Sequence, residues 1–168
     1  KNIEFDGGRY NTHGIPKNME DNCDLIKNKI KIKEIYCKGK LIIWKFDDNL
    51  YLLNTLGMSG RWVFKKVKHC DVCFTFTSEH DNEEKVWFKD QRHFGTFKIV
   101  NKSELNKKLN LLGYDVLANK TSDYYLTKDN FNSLCLQYGY MNISNFLMDQ
   151  TKICGIGNYL RSEILYES

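Results

Sequence analysis

Gln150-Thr151-Lys152-Ile153-Cys154-Gly155-Ile156-Gly157-Asn158-Tyr159-Leu160-Arg161-Ser162-Glu163-Ile164-Leu165 sets two glycines around one apolar residue, followed at once by an asparagine and an amphipathic segment. Glycine lets the backbone take positive φ and lets a ligand approach with no Cβ in the way. The pattern predicts a helix from about Asn158, with free N–H groups and the positive end of its dipole aimed at an anion. The stretch reads as a phosphate-gripping turn between helices, with Gly155, Gly157 and Asn158 as its candidate residues. On a basic chain, the phosphate it suits belongs to a nucleic acid.

Upstream of that turn the sequence continues to read as helical. Ser144 is placed to cap a helix through Phe146, Leu147 and Gln150. Thr127 starts another, with Leu126 and Phe131 spaced for a hydrophobic staple; Phe131, Leu134, Cys135 and Tyr138 line its apolar face and Gly139 ends it. Ser103 is the expected N-cap of a first helix carrying Leu105, Leu109 and Leu112, closed by Gly113. Before about Asn101 the period changes. Leu41–Phe46 and Leu50–Leu53 are short apolar runs separated by the turn signal Asp47-Asp48-Asn49, and Val72, Phe74 and Phe76 alternate as in a half-buried strand. Trp62 with Phe64, and Val86 with Phe88, suggest further strands, and Gly14-Ile15-Pro16 a loop. The expected fold class is α+β: an antiparallel β-sandwich over residues 1–101, followed by a four-helix unit over 102–168.

The 168 residues are 42% hydrophobic and 14% aromatic, enough for a substantial core and unlike a disordered chain. A net charge of +4 and a pI near 8.6 favour an anionic partner only modestly, and a plain lysine-rich protein fits the charge as well. The abundance of lysine and asparagine is consistent with an AT-rich coding sequence. No run is long and apolar enough to span a bilayer, which argues against a membrane partner. Six cysteines, scattered apart from Cys70-x-x-Cys73, point to a reduced intracellular protein, where the three glycosylation sequons carry no weight. Cys70 and Cys73, even with His69 or His80, lack the second ligand pair that structural zinc needs, so no metal or other cofactor is expected from these residues.

Several short motifs stand in a fixed order: Gly39-Lys40, then Leu56-Gly57-Met58-Ser59-Gly60, then Asp90 with Arg92-His93-Phe94-Gly95, then Leu112-Gly113-Tyr114-Asp115-Val116-Leu117, then Asp149-Gln150 with Gly155-Ile156-Gly157-Asn158-Tyr159-Leu160-Arg161. On their own, Lys38-Gly39-Lys40 is a basic turn, Met58 a semi-exposed residue of a hairpin, Phe94 a core aromatic and Arg92 a surface cation. Together and in this order they resemble the Fpg/Nei family of DNA glycosylases, and the Tyr159-Leu160-Arg161 continuation is most similar to its Nei-like branch.

The resemblance implies a helix–two-turn–helix element in the second half and a role for each motif. Lys40 would lie near the lesion phosphate and assist base removal. Met58, Arg92 and Phe94 would fill the gap left by a flipped nucleotide, with a thioether wedge, a guanidinium for the orphaned base and a stacking ring. Gly155, Gly157 and Asn158 would hold the backbone around that nucleotide. His93 stands where family members often carry a second arginine. The implied activity is that of a base-excision-repair glycosylase and abasic-site lyase acting on oxidised bases, by branch resemblance pyrimidines. The partner would be damaged DNA, bound by a monomer between sandwich and helices.

The match breaks at both ends. The family uses the amine of an N-terminal proline followed by a glutamate, whereas this chain begins Lys1-Asn2-Ile3-Glu4 and its one proline is the internal Pro16. The family's zinc or zincless finger would follow beyond Ser168. The sequence is thus expected to be a fragment of an active enzyme; the alternative is a non-catalytic module for damaged or branched DNA.

Overall fold

The structure is a computed structural model that describes residues 2–5, 31–47, 49–77 and 82–168. The expected loop at Pro16, the turn residue Asp48 and the candidate ligand His80 lie outside those residues. The chain forms two compact units, one of Lys1–Tyr36 with Ile42–Lys102 and one of Cys37–Leu41 with Ser103–Ser168.

The first unit is built from β1 (Asn2–Phe5), β2 (Ile32–Lys38), β3 (Leu41–Phe46), β4 (Leu50–Thr55), β5 (Arg61–Val63), β6 (Cys70–Thr77), β7 (Glu83–Lys89) and β8 (Thr96–Asn101). The strands form two four-stranded sheets, ordered β1-β6-β7-β5 and β2-β3-β4-β8. The pairs β1–β6, β6–β7, β5–β7 and β4–β8 are antiparallel, with Leu50 opposite Asn101 and Thr55 opposite Thr96 at the two ends of the last. Aromatic residues supply the core because they fill the space between two sheets with few side chains. Trp44 and Phe46 from β3, Leu52 from β4, and Phe97 and Ile99 from β8 meet Val72 and Phe74 from β6 and Phe88 from β7. Most rings meet edge to face or tilted, as Phe88 to Phe97 and Trp62 to Phe74 do, each at 4.9 Å between centroids, while Trp44 and Phe76 stack at 6.3 Å. A buried polar group, Asn54, is satisfied inside this core. Its amide donates to the Thr96 carbonyl at 3.1 Å and its Oδ1 accepts from the Trp62 indole at 3.1 Å.

The expected β-sandwich is therefore present, with two local corrections. Cys73 and Thr75 are as buried as Val72 and Phe74, so β6 is covered on both faces. Its alternation comes from small against large side chains, not from polar against buried ones. Phe64 lies past the end of β5 and is 83% exposed, because β5 pairs with β7 only over Arg61–Val63.

The second unit contains α1 (Lys102–Asn110), β9 (Tyr114–Asp115), α2 (Lys128–Tyr138), α3 (Ile143–Met148), β10 (Ile153–Cys154) and α4 (Asn158–Glu167). Its core gathers Phe146, Leu147, Ile153 and Ile156, with Leu126, Phe131, Leu134, Cys135, Tyr138 and Ile164 packed against them. The staple pair and the α2 stripe read from the sequence thus meet in one cluster. Thr127 caps α2, its hydroxyl accepting from the Asn130 amide at 3.1 Å. Two other caps differ from expectation. Ser103 lies inside the first turn of α1, which begins directly at the end of β8, and Asn142 rather than Ser144 caps α3, with its Oδ1 accepting the Ser144 amide at 2.9 Å. A serine two residues into a helix donates its backbone N–H to the cap, so cap and first-turn positions look alike in sequence. No described helix is long and apolar enough to cross a membrane.

Phe88→Ala is expected to lower the unfolding free energy by about 3–5 kcal/mol, because it removes a fully buried ring from the core cluster. Phe64→Ala, at an exposed position, should change it by no more than about 0.5 kcal/mol. Denaturant titration of the two variants separates these outcomes.

Candidate nucleic-acid interface

The Gly155–Asn158 turn singled out in the sequence lies in the second unit, and its two glycines serve different ends. Gly155 sits at φ +101°, a region that L side chains rarely adopt. Gly157 is extended, at φ −121°, and any residue would accept that backbone. What Gly157 provides is room: the Lys40 Nζ lies 3.2 Å from where a Cβ on Gly157 would stand. Gly157 is also the N-cap of α4 and offers no side-chain cap. The amides of Asn158, Tyr159 and Leu160 open the helix without intrahelical partners, and Asn158 itself is exposed. A lysine ammonium therefore stands beside an uncapped helix N-terminus, a combination of cation and dipole suited to a phosphate.

Lys40 reaches this place because its turn is tied down from within the same unit. The Gly39 amide donates to the Asp115 Oδ2 at 2.6 Å, and the other carboxylate oxygen accepts from Leu117 N at 2.9 Å. Gly39 has φ +55°, and a Cβ there would lie 2.8 Å from that of Cys154. Lys38, on the other side of Gly39, is consumed structurally. It is buried, and its Nζ donates to the carbonyls of Leu109 and Leu112, each at 3.1 Å, which places a cation at the carbonyl end of α1. Of the two lysines in the basic turn, Lys40 alone is presented to solvent.

Gln150 organises the other side. Its Oε1 accepts from Gly155 N at 3.1 Å, and its amide donates to the carbonyls of Met148 and Ile156 at 3.0 and 2.9 Å. One side chain thus closes the glycine turn across five residues of chain. Asp149 is drawn down to about 2, first by hydrogen bonds from the Lys152 ammonium and the Thr151 hydroxyl. Burial pushes the Cys154 thiol up to about 11, with Asp115 acting in the same direction and Lys38 against it. Cys154 is thereby a packing residue at neutral pH and no nucleophile.

In the first unit the other sequence candidates converge on two loops. Met58 is 73% exposed, Phe94 57% exposed, and the Arg92 guanidinium donates to the Met58 sulfur at 3.4 Å. Phe94 is therefore not the core aromatic that its type alone suggests. The loops are joined through Asp90, which is 1% exposed. Its Oδ1 accepts from the Ser59 hydroxyl at 2.7 Å and from Arg92 N at 3.3 Å, and its Oδ2 from Gly95 N at 2.7 Å. Gly57, in positive φ, packs against the backbone of Phe94, where a Cβ would approach within 2.7 Å. His93 also takes a positive φ, +58°, which turns the chain sharply between Arg92 and Phe94. Asp90, Asp115 and Gln150 belong to the quoted motifs but gain a function only here. Their signal in sequence is a carboxylate or amide near glycines that need an acceptor or a brace, which is too common to single them out.

Cys70 and Cys73 are buried in β6, with Cys70 Sγ accepting from Val67 N at 3.4 Å, and no group of three metal-ligating side chains occurs among the described residues.

The sequence profile of the formamidopyrimidine-DNA glycosylase N-terminal domain matches residues 9–97, just over half of the chain. The chain belongs to this glycosylase family. Among curated formamidopyrimidine-DNA glycosylases, that of Wolbachia from Brugia malayi is 32% identical over all of this chain and 60% of its own length. That of Mycoplasma genitalium is 32% identical over 99% of this chain and 58% of its own length. The chain thus spans about three fifths of these glycosylases. The fold agrees with that of the Lactococcus lactis Fpg complexed with FAPY-dG-containing DNA (TM-score 0.75, 20% identity, 98% of this chain and 59% of that one). It also agrees with that of the Thermus thermophilus Fpg (TM-score 0.71, 19% identity, 99% and 55%). These glycosylase names carry the family resemblance; they do not carry the Nei-like branch.

Asp149 has a depressed folded pKa, so its contribution to stability is present above the ordinary carboxylate pKa of about 3.9 and is lost as pH falls towards about 2. Asp149→Asn should therefore lower stability at neutral pH and flatten the acid limb of the stability curve, measured by denaturant unfolding across that window. Asp90→Ala leaves Gly95 N and Ser59 Oγ without their acceptor and should cost about 1–3 kcal/mol or more, read in the same titration.

Proposed function

We propose that the natural protein is a base-excision-repair DNA glycosylase with abasic-site lyase activity, acting as a monomer on oxidised bases where the genome is maintained inside the cell. The observation that supports this most directly is the Lys40 ammonium beside the uncapped N-terminus of α4, at the turn where the sequence calls for a phosphate. In this reading Lys40 faces the lesion sugar-phosphate, while Asn158 and the turn of Gly155 and Gly157 hold the backbone of a flipped nucleotide. Met58, Arg92 and Phe94 occupy the gap that flipping leaves, and their exposure on braced loops suits side chains that must enter a base stack without a large ordering cost. Residues 1–101 form the catalytic-type domain and residues 102–168 the helix–two-turn–helix domain.

The chemistry follows from the family resemblance. The amine of an N-terminal proline, which is not among these 168 residues, attacks C1′ of the damaged nucleotide. The bond from C1′ to the base breaks, the base leaves with a proton delivered by the neighbouring carboxylate, and the sugar opens to an iminium. Lys40 stabilises the adjacent phosphate through these steps. The Nei-like continuation Tyr159-Leu160-Arg161 favours an oxidised pyrimidine as the damaged base, and the names of the curated relatives favour a formamidopyrimidine.

Borohydride trapping of the natural full-length protein on a duplex with one abasic site tests the reading. A covalent adduct mapping to an N-terminal proline is expected; tight binding with no adduct would make the protein a non-catalytic module for damaged DNA. Competing duplexes carrying an oxidised pyrimidine or FAPY-dG then rank the two substrates by base release. Asn158→Ala should weaken binding to damaged and undamaged duplexes alike and lower the salt slope by about one phosphate contact. An unchanged affinity in a fluorescence titration would remove Asn158 from the grip.

A further inference from the structure

Arg61-Trp62-Val63-Phe64-Lys65-Lys66-Val67-Lys68 holds four cations and no carboxylate in eight residues, and it joins β5 to β6 beside the loops that carry Met58 and Arg92. We propose that this β5–β6 segment is a second DNA-backbone site, at which Arg61, Lys65 and Lys68 take phosphates flanking the lesion and Phe64 packs on a deoxyribose. The proposal rests on the DNA-binding reading above and adds to it a surface outside the residues assigned there.

Three observations carry it. First, the charges are set against each other. In the β5–β7 pairing Arg61 stands directly opposite Lys89, so two like-charged side chains share one face of the sheet. Such a pair is destabilising unless an anion lies between or above it. The carboxylates of β7, Glu83 and Glu84, are at the far end of that strand, roughly 20 Å away at about 3.4 Å per residue. Among the described residues no carboxylate pairs with Lys65 or Lys68.

Second, apolar side chains are exposed among the cations. Phe64 is 83% exposed and Val67 44% exposed, both on the segment that runs from β5 to β6. A solvated basic loop gains nothing from a bare phenyl ring, whereas a ring between lysines matches the alternation of sugar and phosphate along a nucleic-acid strand. Lys66 lies over the Trp87 ring at 5.0 Å, which fixes the course of the loop and leaves Lys65 and Lys68 on either side of it.

Third, the segment is mechanically continuous with the Met58 and Arg92 loops. The Asp90 amide donates to the His69 carbonyl at 2.9 Å, so the residue that braces those loops also anchors the end of the basic segment. The other end runs straight on from Gly60, whose amide closes the Met58 hairpin on the Leu56 carbonyl at 2.8 Å. A duplex held at Met58 and Arg92 therefore has the basic segment attached to both flanks of its binding loops. Phosphate is the anion these groups suit, since three or more separate cations along an extended segment track a polyanion better than a single small ion.

The test is a salt titration of the natural full-length protein by fluorescence anisotropy. It uses a duplex with one abasic-site analogue and the same duplex undamaged. Lys65→Gln with Lys68→Gln should reduce the slope of log affinity against log salt by about 2, near 0.9 per lost contact, and weaken both duplexes by the same factor. Adding Arg61→Gln should lower the slope by about one more contact. Melting temperatures of these surface variants should match the parent, which keeps a folding defect out of the comparison. A parent-like slope in the variants, with the parent itself binding DNA, overturns the loop proposal alone. A parent that binds neither duplex overturns the DNA reading and the loop with it. Loss of binding to vesicles of phosphatidylserine, with the DNA slope untouched, would assign the segment to an anionic lipid surface instead.

Discussion

The hydrogen bond from the Gly39 amide to the buried Asp115 carboxylate decides where Lys40 stands. A turn of two residues between strands has no preferred place in a helical unit. The pull on the Cys37–Leu41 segment comes from a charge that burial has stripped of water and that must be satisfied by backbone N–H groups. Asp115 takes one such group from Gly39 and one from Leu117, and Lys38 adds its own bonds to the carbonyls at the end of α1. Lys40 is then left beside Gly157, with no hydrogen-bonding or ion-pair partner for its ammonium among the described residues. If the carboxylate were elsewhere, the same basic turn would be a solvated hairpin tip.

Asp90 does the corresponding work in the sandwich unit. It is equally buried, and it accepts from a glycine amide, a serine hydroxyl and the backbone of Arg92. In both units a buried acidic side chain holds a loop whose neighbouring side chains, Lys40 in one and Met58, Arg92 and Phe94 in the other, stay exposed. This division of labour is economical in physical terms. If the exposed Met58, Arg92 and Phe94 are to enter a DNA stack, as proposed, they cannot also fix their loops, because contacts that hold a side chain in place are contacts it would have to give up. Backbone bonds to a buried carboxylate avoid that conflict.

The two glycines of the turn before α4 illustrate how one residue type answers two constraints. At Gly155 the backbone angle excludes a side chain, while at Gly157 the backbone is ordinary and the neighbouring lysine excludes it. Sequence reasoning treats both as conformational glycines. Only the position of Lys40, more than a hundred residues earlier in the chain, separates them. The cap of α3 shows the same at shorter range, since Asn142 and Ser144 are both good capping residues and the choice between them depends on where Phe146 and Leu147 must point to reach the core.

The sequence by itself determined the class of the fold, the change from strands to helices near Asn101, the start of α4 at Asn158 and the family, because these follow from local periodicity, turn chemistry and the order of short motifs. It also grouped Met58, Arg92 and Phe94, through the family resemblance that the order of the motifs carries. The tertiary structure decided that Phe94 is exposed, that Lys38 and Lys40 have opposite fates, and that Arg61 faces Lys89 across a sheet. It also decided which acids act as braces. Each of these depends on what a residue meets from a distant part of the chain, and burial, charge pairing and hydrogen-bond satisfaction are properties of that meeting and not of the residue.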